Sequence, residues 1–306
     1  MLSALGQRPR HIAPKFFYDA AGSALFDRIC ELPEYYPTRT ELALLDRHAS
    51  QIAALIGPQA DIVEFGAGSA TKIRLLLDAL REPRRFSPVD ISAEHLHAAA
   101  ALLQRDYPHV EVHPIAADFM QPMALPPLAG AGRRVGFFPG SSIGNFTPDE
   151  ALAFLRQSAR LLRGGGLLIG VDLVKDPALL HAAYNDAAGV TAAFNRNLLA
   201  RANRELQADF VPEHFAHYAF YEPRAQRIEM HLVSRQAQRV QVCGESFAFD
   251  EGESLHTENS YKYSVDAFQA LARQAGLLPH AVWCDPQRRF SLHWLAAPHD
   301  EAGASA

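Results

Sequence analysis

The segment Asp61–Lys72, DIVEFGAGSATK, changes character half-way along. Residues 61–66 form a short, nearly unbroken apolar run, and Ala70-Thr71-Lys72 opens the helical stretch TKIRLLLDAL. Such a run ending in glycine reads as a buried strand, and the glycines let the backbone turn sharply into the helix behind it. Four more runs repeat the device: RRFSPVDI (84–91), VEVHPIAAD (110–118), RRVGFFPG (133–140) and GLLIGVDL (166–173). Helical SAEHLHAAAALLQRDY and TPDEALAFLRQSARLL lie between them. The second opens with Thr147 as N-cap, Pro148 at the first helical position and Glu150 closing a capping box. Unpunctuated apolar strands alternating with helices predict a parallel sheet covered on both faces. The expected core is a doubly wound α/β fold.

On either side of this core the pattern differs. Upstream, Ser23 is placed to cap ALFDRICEL, in which Leu25, Phe26, Ile29 and Leu32 share a face. After the YYPT break, Thr38-Arg39-Thr40-Glu41 reads as a capping box opening the next helix. Beyond residue 175 a long helical segment begins at Asp176-Pro177. Strands with period-2 alternation follow: FAHYAFYEP, QRIEMHLVSRQ, QRVQVCGESFAFD and ESLHTENSYKY, with a turn at Glu251-Gly252. A helix, SVDAFQALARQAG, and two short strands, AVWCD and FSLHWLAA, close the chain before a polar tail expected to fray. The expected division is a core over 40–174 and 263–298 and a second α+β lobe over 1–39 and 175–262.

Composition narrows the classes. The 306 residues carry a net charge of -5, so no basic field draws nucleic acid or an anionic membrane. The three cysteines, Cys30, Cys243 and Cys284, are odd in number and form no CxxC, which argues against a disulfide framework or a thiolate metal site. Fourteen histidines are scattered without an HExxH, so no metal is expected. The N-terminal stretch has no signal-like apolar core, and a cytoplasmic monomer is the plain expectation.

The strand ends point to a nucleotide-like ligand. Gly66 and Gly68 bring the backbone and a helix N-terminus toward it, and Asp90 ends the second run where a carboxylate holds ribose hydroxyls. A dinucleotide loop wants a third glycine where Thr71 stands. That departure, with acidic Glu64 ahead of the loop, favours S-adenosylmethionine (SAM) over NAD. Asp118 and Phe119 suit the adenine, one by hydrogen bond and one by its ring. The fourth run leads into FFPGSSIGNFTP, where Asn145 offers both donor and acceptor to an amino acid, or serves simply as a turn residue. Tyrosines concentrate at Tyr18, Tyr35, Tyr36 and Tyr184. In TENS (257–260), Glu258 and Ser260 fall on one side of a strand, a carboxylate beside a hydroxyl.

Taken together, KFFYDAAGSALFDRICELPEYYPTRTE, VEFGAGSATK, GSSIGNFTP, DLVKDPALLHAAYNDAAGVTAAFNRN and RIEMHL resemble the L-histidine Nα-methyltransferase family of ergothioneine biosynthesis, from about Lys15 to Leu295. The resemblance implies a class I, Rossmann-like SAM-dependent core with a substrate-binding lobe. It also implies a reaction in which L-histidine is methylated through its mono- and dimethylated forms to the betaine hercynine. Gly66, Lys72, Asp90, Asp118 and Phe119 match the family's SAM contacts. Tyr35, Asn145, Tyr184 and Met230 match its substrate pocket, Glu258 and Ser260 the pair that grips the imidazole, and Tyr18 a tyrosine near the reacting amine.

Three other functions fit parts of the pattern. A methyltransferase for tryptophan or a prenylated tryptophan shares the chemistry, but an indole offers a hydrogen bond to only one member of the Glu258/Ser260 pair. A non-catalytic SAM-binding module is set against by the polar residues present in both lobes. A dehydrogenase is set against by Thr71.

Overall fold

The computed structural model describes residues 1–68 and 70–299; Ser69, the side chain of His95 and the tail from residue 300 lie outside the described residues. The chain runs α1 (Leu2–Gly6), β1 (Arg10–His11), α2 (Ala20–Glu31), α3 (Tyr36–Ile56), β2 (Asp61–Phe65), α4 (Thr71–Ala79), β3 (Arg85–Asp90) and α5 (Ala93–Asp106). Next come β4 (Glu111–Val112), β5 (Ile115–Ala116), β6 (Arg134–Phe138), α6 (Pro148–Leu161), β7 (Gly166–Asp172), α7 (Pro177–Tyr184) and α8 (Val190–Leu206). The last third is β8 (Phe215–Glu222), β9 (Arg227–Ser234), β10 (Gln238–Val242), β11 (Glu245–Phe249), β12 (Ser254–Tyr261), α9 (Val265–Gln274), β13 (Leu278–Cys284) and β14 (Phe290–Ala296). The chain divides into two compact units, one of Met1–Tyr36 with Lys175–Lys262, the other of Pro37–Val174 with Tyr263–Ala306.

The larger unit is built on a sheet ordered β13-β14-β7-β6-β2-β3-β4, with β5 also pairing β3. The strands from β2 to β7 run parallel, and β14 joins antiparallel to β7. Alternation along each strand sends apolar side chains to both faces. Ile62, Phe86, Val135 and Phe137 pack with Leu44, Leu45 and Ile52 of α3 and Ile73, Leu76 and Leu77 of α4. On the opposite face Val63, Phe65 and Phe138 meet Phe154 and Leu155 of α6 and Phe268 of α9. This is the doubly wound, Rossmann-like core expected. Strand β2 pairs β3 on one side and β6 on the other, so the chain reverses its winding direction there. The crevice at the carboxyl ends of such strands is where these sheets take ligands.

The smaller unit carries the sheet β1-β12-β9-β8, antiparallel except for the β1/β12 pair, and a separate β10/β11 hairpin. Its core gathers Phe17, Tyr35, Phe194, Leu198, Ile228, Met230 and Leu232. Two of its features shape the site. A bulge falls between His256 and Glu258 in the β12–β9 ladder. Beyond it, Glu258 lies opposite Met230 and Ser260 opposite Ile228, on the face that buries those two apolar residues.

The local signals divide clearly. Thr147, Pro148 and Glu150 form the full capping box, and Asp176 and Ser264 cap α7 and α9. Two expected caps fail. Helix α2 begins earlier, capped by Asp19 accepting from the Gly22 N–H, which leaves Ser23 inside the helix. Helix α3 already begins at Tyr36, so Thr38 is also internal, and Glu41 turns elsewhere. The 110–118 run yields only β4 and β5, two residues each, and QRVQVCGESFAFD is a hairpin around Cys243-Gly244 rather than one strand. The long segment after Asp176 breaks into α7 and α8.

Candidate active site

In the larger unit the residues expected to meet SAM sit at the carboxyl ends of the parallel strands. Gly66 follows β2 with φ +72, a conformation that glycine adopts without strain. A Cβ there would stand 3.4 Å from Cε1 of Phe119, so the Phe119 ring lies against the bare backbone. That ring packs among Phe65 at 6.2 Å and Phe138 at 5.7 Å between centroids. Its loop is pinned by Gln157 of α6, whose Nε2 donates to the carbonyls of Phe119 and Gln121 at 3.2 and 2.8 Å. Asp90 and Asp118 each accept a backbone N–H two residues on, from Ser92 at 2.8 Å and Met120 at 3.0 Å. Both carboxylates are thereby fixed at strand ends. Asn145, half-buried, closes the one-turn helix Ser142–Asn145 that follows β6.

Lys72 leads to a residue that sequence reading missed. Its Nζ lies 2.6 Å from Oε2 of Glu41, a side chain with no solvent exposure. Both Glu41 oxygens also accept from the Gly140 N–H, at 3.0 and 2.8 Å. Room for this carboxylate exists because residue 170 is glycine: a Cβ there would fall 2.0 Å from Glu41 Oε1. One buried group thus ties α3 to the start of α4 and to the turn after β6. Nearby, burial pushes the Glu64 carboxyl up to about 8, with Lys72 pulling the other way and Glu41 and Asp90 adding to the rise. Glu64 therefore holds its proton at neutral pH.

In the smaller unit the structure brings together six expected substrate residues. Tyr35 and Tyr184 meet edge to face with centroids 6.5 Å apart. Tyr18 is wedged between Phe26 and Phe194, at 5.8 and 5.9 Å. Burial above all, then the neighbouring Tyr184, Cys30, Tyr18 and Glu258, holds the Tyr35 phenol well above its ordinary range, so it stays protonated. The Tyr184 hydroxyl donates to Ser260 Oγ at 2.7 Å. Burial pushes the Glu258 carboxyl up to about 7, against the pull of Lys262. Met230, buried opposite Glu258, supplies the apolar wall.

Lys262 is the second residue missed. It is 2% exposed, and its Nζ donates to Ser260 Oγ at 2.6 Å and to the Tyr184 hydroxyl at 3.2 Å. The signal was present in the sequence: Glu258, Ser260 and Lys262 continue one period-2 alternation.

The histidines are less scattered than their spacing implied. Phe220, His231, His256 and His11, from four neighbouring strands, form a ladder of rings with centroids 5.5, 4.6 and 4.9 Å apart. Glu229, His231 and His256 bring their donor atoms within 4.8 Å of one another. The His231 and His256 rings are stacked at 12°, so their in-plane lone pairs run side by side instead of converging. We assign this ladder a packing role across the strands. Among the described residues, no helix is long and apolar enough to cross a membrane.

Comparison with known proteins gives the arrangement a family. The profile of the SAM-dependent, histidine-specific methyltransferases matches residues 1–297. The chain belongs to that family. It is 44% identical over 296 residues to a histidine N-alpha-methyltransferase of Mycolicibacterium smegmatis, covering 95% of this chain and 91% of that one. Identity to the Mycobacterium tuberculosis protein of the same name is 44% over 301 residues, covering 96% and 92%. An ergothioneine biosynthesis protein of Neurospora crassa is 31% identical over 308 residues, covering 94% of this chain and 33% of that longer one. As a histidine-specific methyltransferase with a class I core, the chain is an enzyme that uses SAM as methyl donor.

Proposed function

We propose that this methyltransferase transfers three methyl groups in succession to the α-amino nitrogen of L-histidine, yielding hercynine, the first step toward ergothioneine. In this proposal the larger unit is the SAM-binding core and the smaller one the substrate lobe. Gly66, Lys72, Asp90, Asp118 and Phe119 serve SAM. Tyr35, Asn145, Tyr184 and Met230 serve the amino acid, and Glu258 and Ser260 hold its imidazole. The observation that carries the reading is the buried carboxylate and hydroxyl projecting from one face of β12 beside Tyr184. An imidazole has two ring nitrogens to satisfy such a pair, whereas an indole has one.

SAM supplies an electrophilic methyl carried on a sulfonium. Held by those residues, SAM would give its methyl to the lone pair of a neutral amine and would leave as the corresponding thioether. The amine must be neutral to attack, so one proton leaves before each transfer. Tyr18 orients the amine by a hydrogen bond, and the protons pass to water. Once the third transfer has made a quaternary ammonium, the tyrosine rings stabilise its fixed charge by about 0.5–2 kcal/mol each.

Incubation with labelled SAM and each of the twenty amino acids, read by product mass, tests the function. Histidine carrying up to three added methyl groups is expected; preferential labelling of tryptophan would overturn the reading. Tyr18→Phe removes one neutral hydrogen bond, and kcat is expected to fall about 2- to 10-fold with the affinity for SAM unchanged. Full kcat through all three transfers would remove Tyr18 from this role.

A further inference from the structure

We infer that Lys262 sets the polarity of the imidazole clamp, leaving Ser260 only a proton to offer, so that the site accepts one ring N–H at Glu258 and one bare ring nitrogen at Ser260. The inference rests on the proposed histidine site and adds to it a residue and a chemical requirement: the substrate must enter with a neutral imidazole.

An ammonium has three donors and no acceptor, so both oxygens that Lys262 touches, Ser260 Oγ at 2.6 Å and the Tyr184 hydroxyl at 3.2 Å, must accept from it. Between the two hydroxyls, 2.7 Å apart, the phenol is the stronger acid and donates to the serine. Ser260 Oγ therefore accepts twice, which fills both its lone pairs. Its own proton is what remains for a ligand.

Glu258 completes the pattern. The groups facing it are Lys262, just past the end of its own strand, apolar Met230 on β9 and the phenol of Tyr35; Ser260 follows two residues on along the same face and accepts from Tyr184, and the His256 ring nitrogen Nε2 bonds the Glu258 backbone carbonyl at 3.0 Å. Burial raises this carboxyl and Lys262 is the charge that lowers it, so Lys262 favours the ionised, accepting form. A neutral imidazole meets both demands, with its N–H at the carboxylate and its bare nitrogen at the serine. Imidazolium would turn an N–H toward the Ser260 proton and set its charge beside the Lys262 ammonium. An indole satisfies Glu258 and leaves Ser260 unpaired, and buried polar groups left unpaired are what enforce strong discrimination.

The test is a double-mutant cycle on Lys262 and Ser260, with wild type, Lys262→Met, Ser260→Ala and the double variant assayed for L-histidine methylation across pH. Lys262→Met is expected to raise KM for histidine about 10-fold or more near neutral pH. At pH above the acid limb, the same change in the Ser260→Ala background should add little, because the hydroxyl through which Lys262 acts there is already gone. The acid limb of kcat/KM should also move to higher pH in Lys262→Met, since Glu258 loses the cation that holds it down. Lys262→Arg should restore the limb. SAM affinity, read by calorimetry in every variant, confirms that each chain is folded. Independent, additive losses with an unmoved acid limb would overturn the inference. Wild-type protein that does not methylate histidine would instead overturn the proposed function.

Discussion

Glu258→Ala is expected to lower kcat/KM for L-histidine by about 10- to 150-fold, the equivalent of losing one hydrogen bond to a charged group. The loss should fall mainly on KM, because the imidazole is remote from the nitrogen that attacks. The discriminating measurement is the same variant assayed with phenylalanine, whose ring has no nitrogen to lose. For that substrate the change removes a buried carboxylate that no ligand atom could satisfy, so any turnover of it should hold or rise. Glu258→Gln separates charge from shape. The amide oxygen still accepts from a ring N–H, so KM should rise less than in the alanine variant. The acid limb that reports the carboxyl near 7 should vanish. Equal losses for histidine and phenylalanine would show that Glu258 supports the fold of the lobe and does not read the side chain.

What could be read from the sequence follows the range of the interactions involved. Thr147-Pro148-Asp149-Glu150 announces a helix start because every partner lies within three residues, and its full capping box forms. Alternation along β12 is equally local: it placed Glu258 and Ser260 on one face, and the same count reaches Lys262. The two failed caps mark the limit of such reasoning. Ser23 had a rival in Asp19, four residues earlier, and local chemistry alone does not rank two capping residues one turn apart. Glu41 fits a capping box as written, but its partner Gly140 stands 99 positions away, beyond any window in which helix signals operate. The ring ladder through His11, His231 and His256 depends on the register of β9 with β12, which a bulge shifts at just that point. No spacing rule along the chain contains that information.

Glu41→Ala should be the most damaging single change in the larger unit. It removes the carboxylate paired with Lys72 and leaves the Gly140 N–H without its acceptor, at a point where the Glu41 side chain has no solvent exposure. Breaking a buried pair by deleting one partner costs about 3–5 kcal/mol, and the partial exposure of Lys72, at 17%, puts this case toward the lower end. The thermal midpoint should drop accordingly. Affinity for SAM should weaken by at least about 10-fold, because Lys72 and the turn after β6 lose the group that positions them. Glu41→Gln guards against a variant too unstable to assay: its amide oxygen can still accept from Gly140, while the ion pair is lost. If Glu41 positions the binding loop, this variant should recover most of the thermal midpoint and little of the SAM affinity. Recovery of both would make the carboxylate a packing element, since only its shape and one neutral hydrogen bond would then matter. Loss of neither in Glu41→Ala would detach the buried pair from binding altogether. The sterics favour the positioning role. A side chain at residue 170 would collide with Glu41, and the bare Cα there leaves the space that the carboxylate occupies between Lys72 and Gly140.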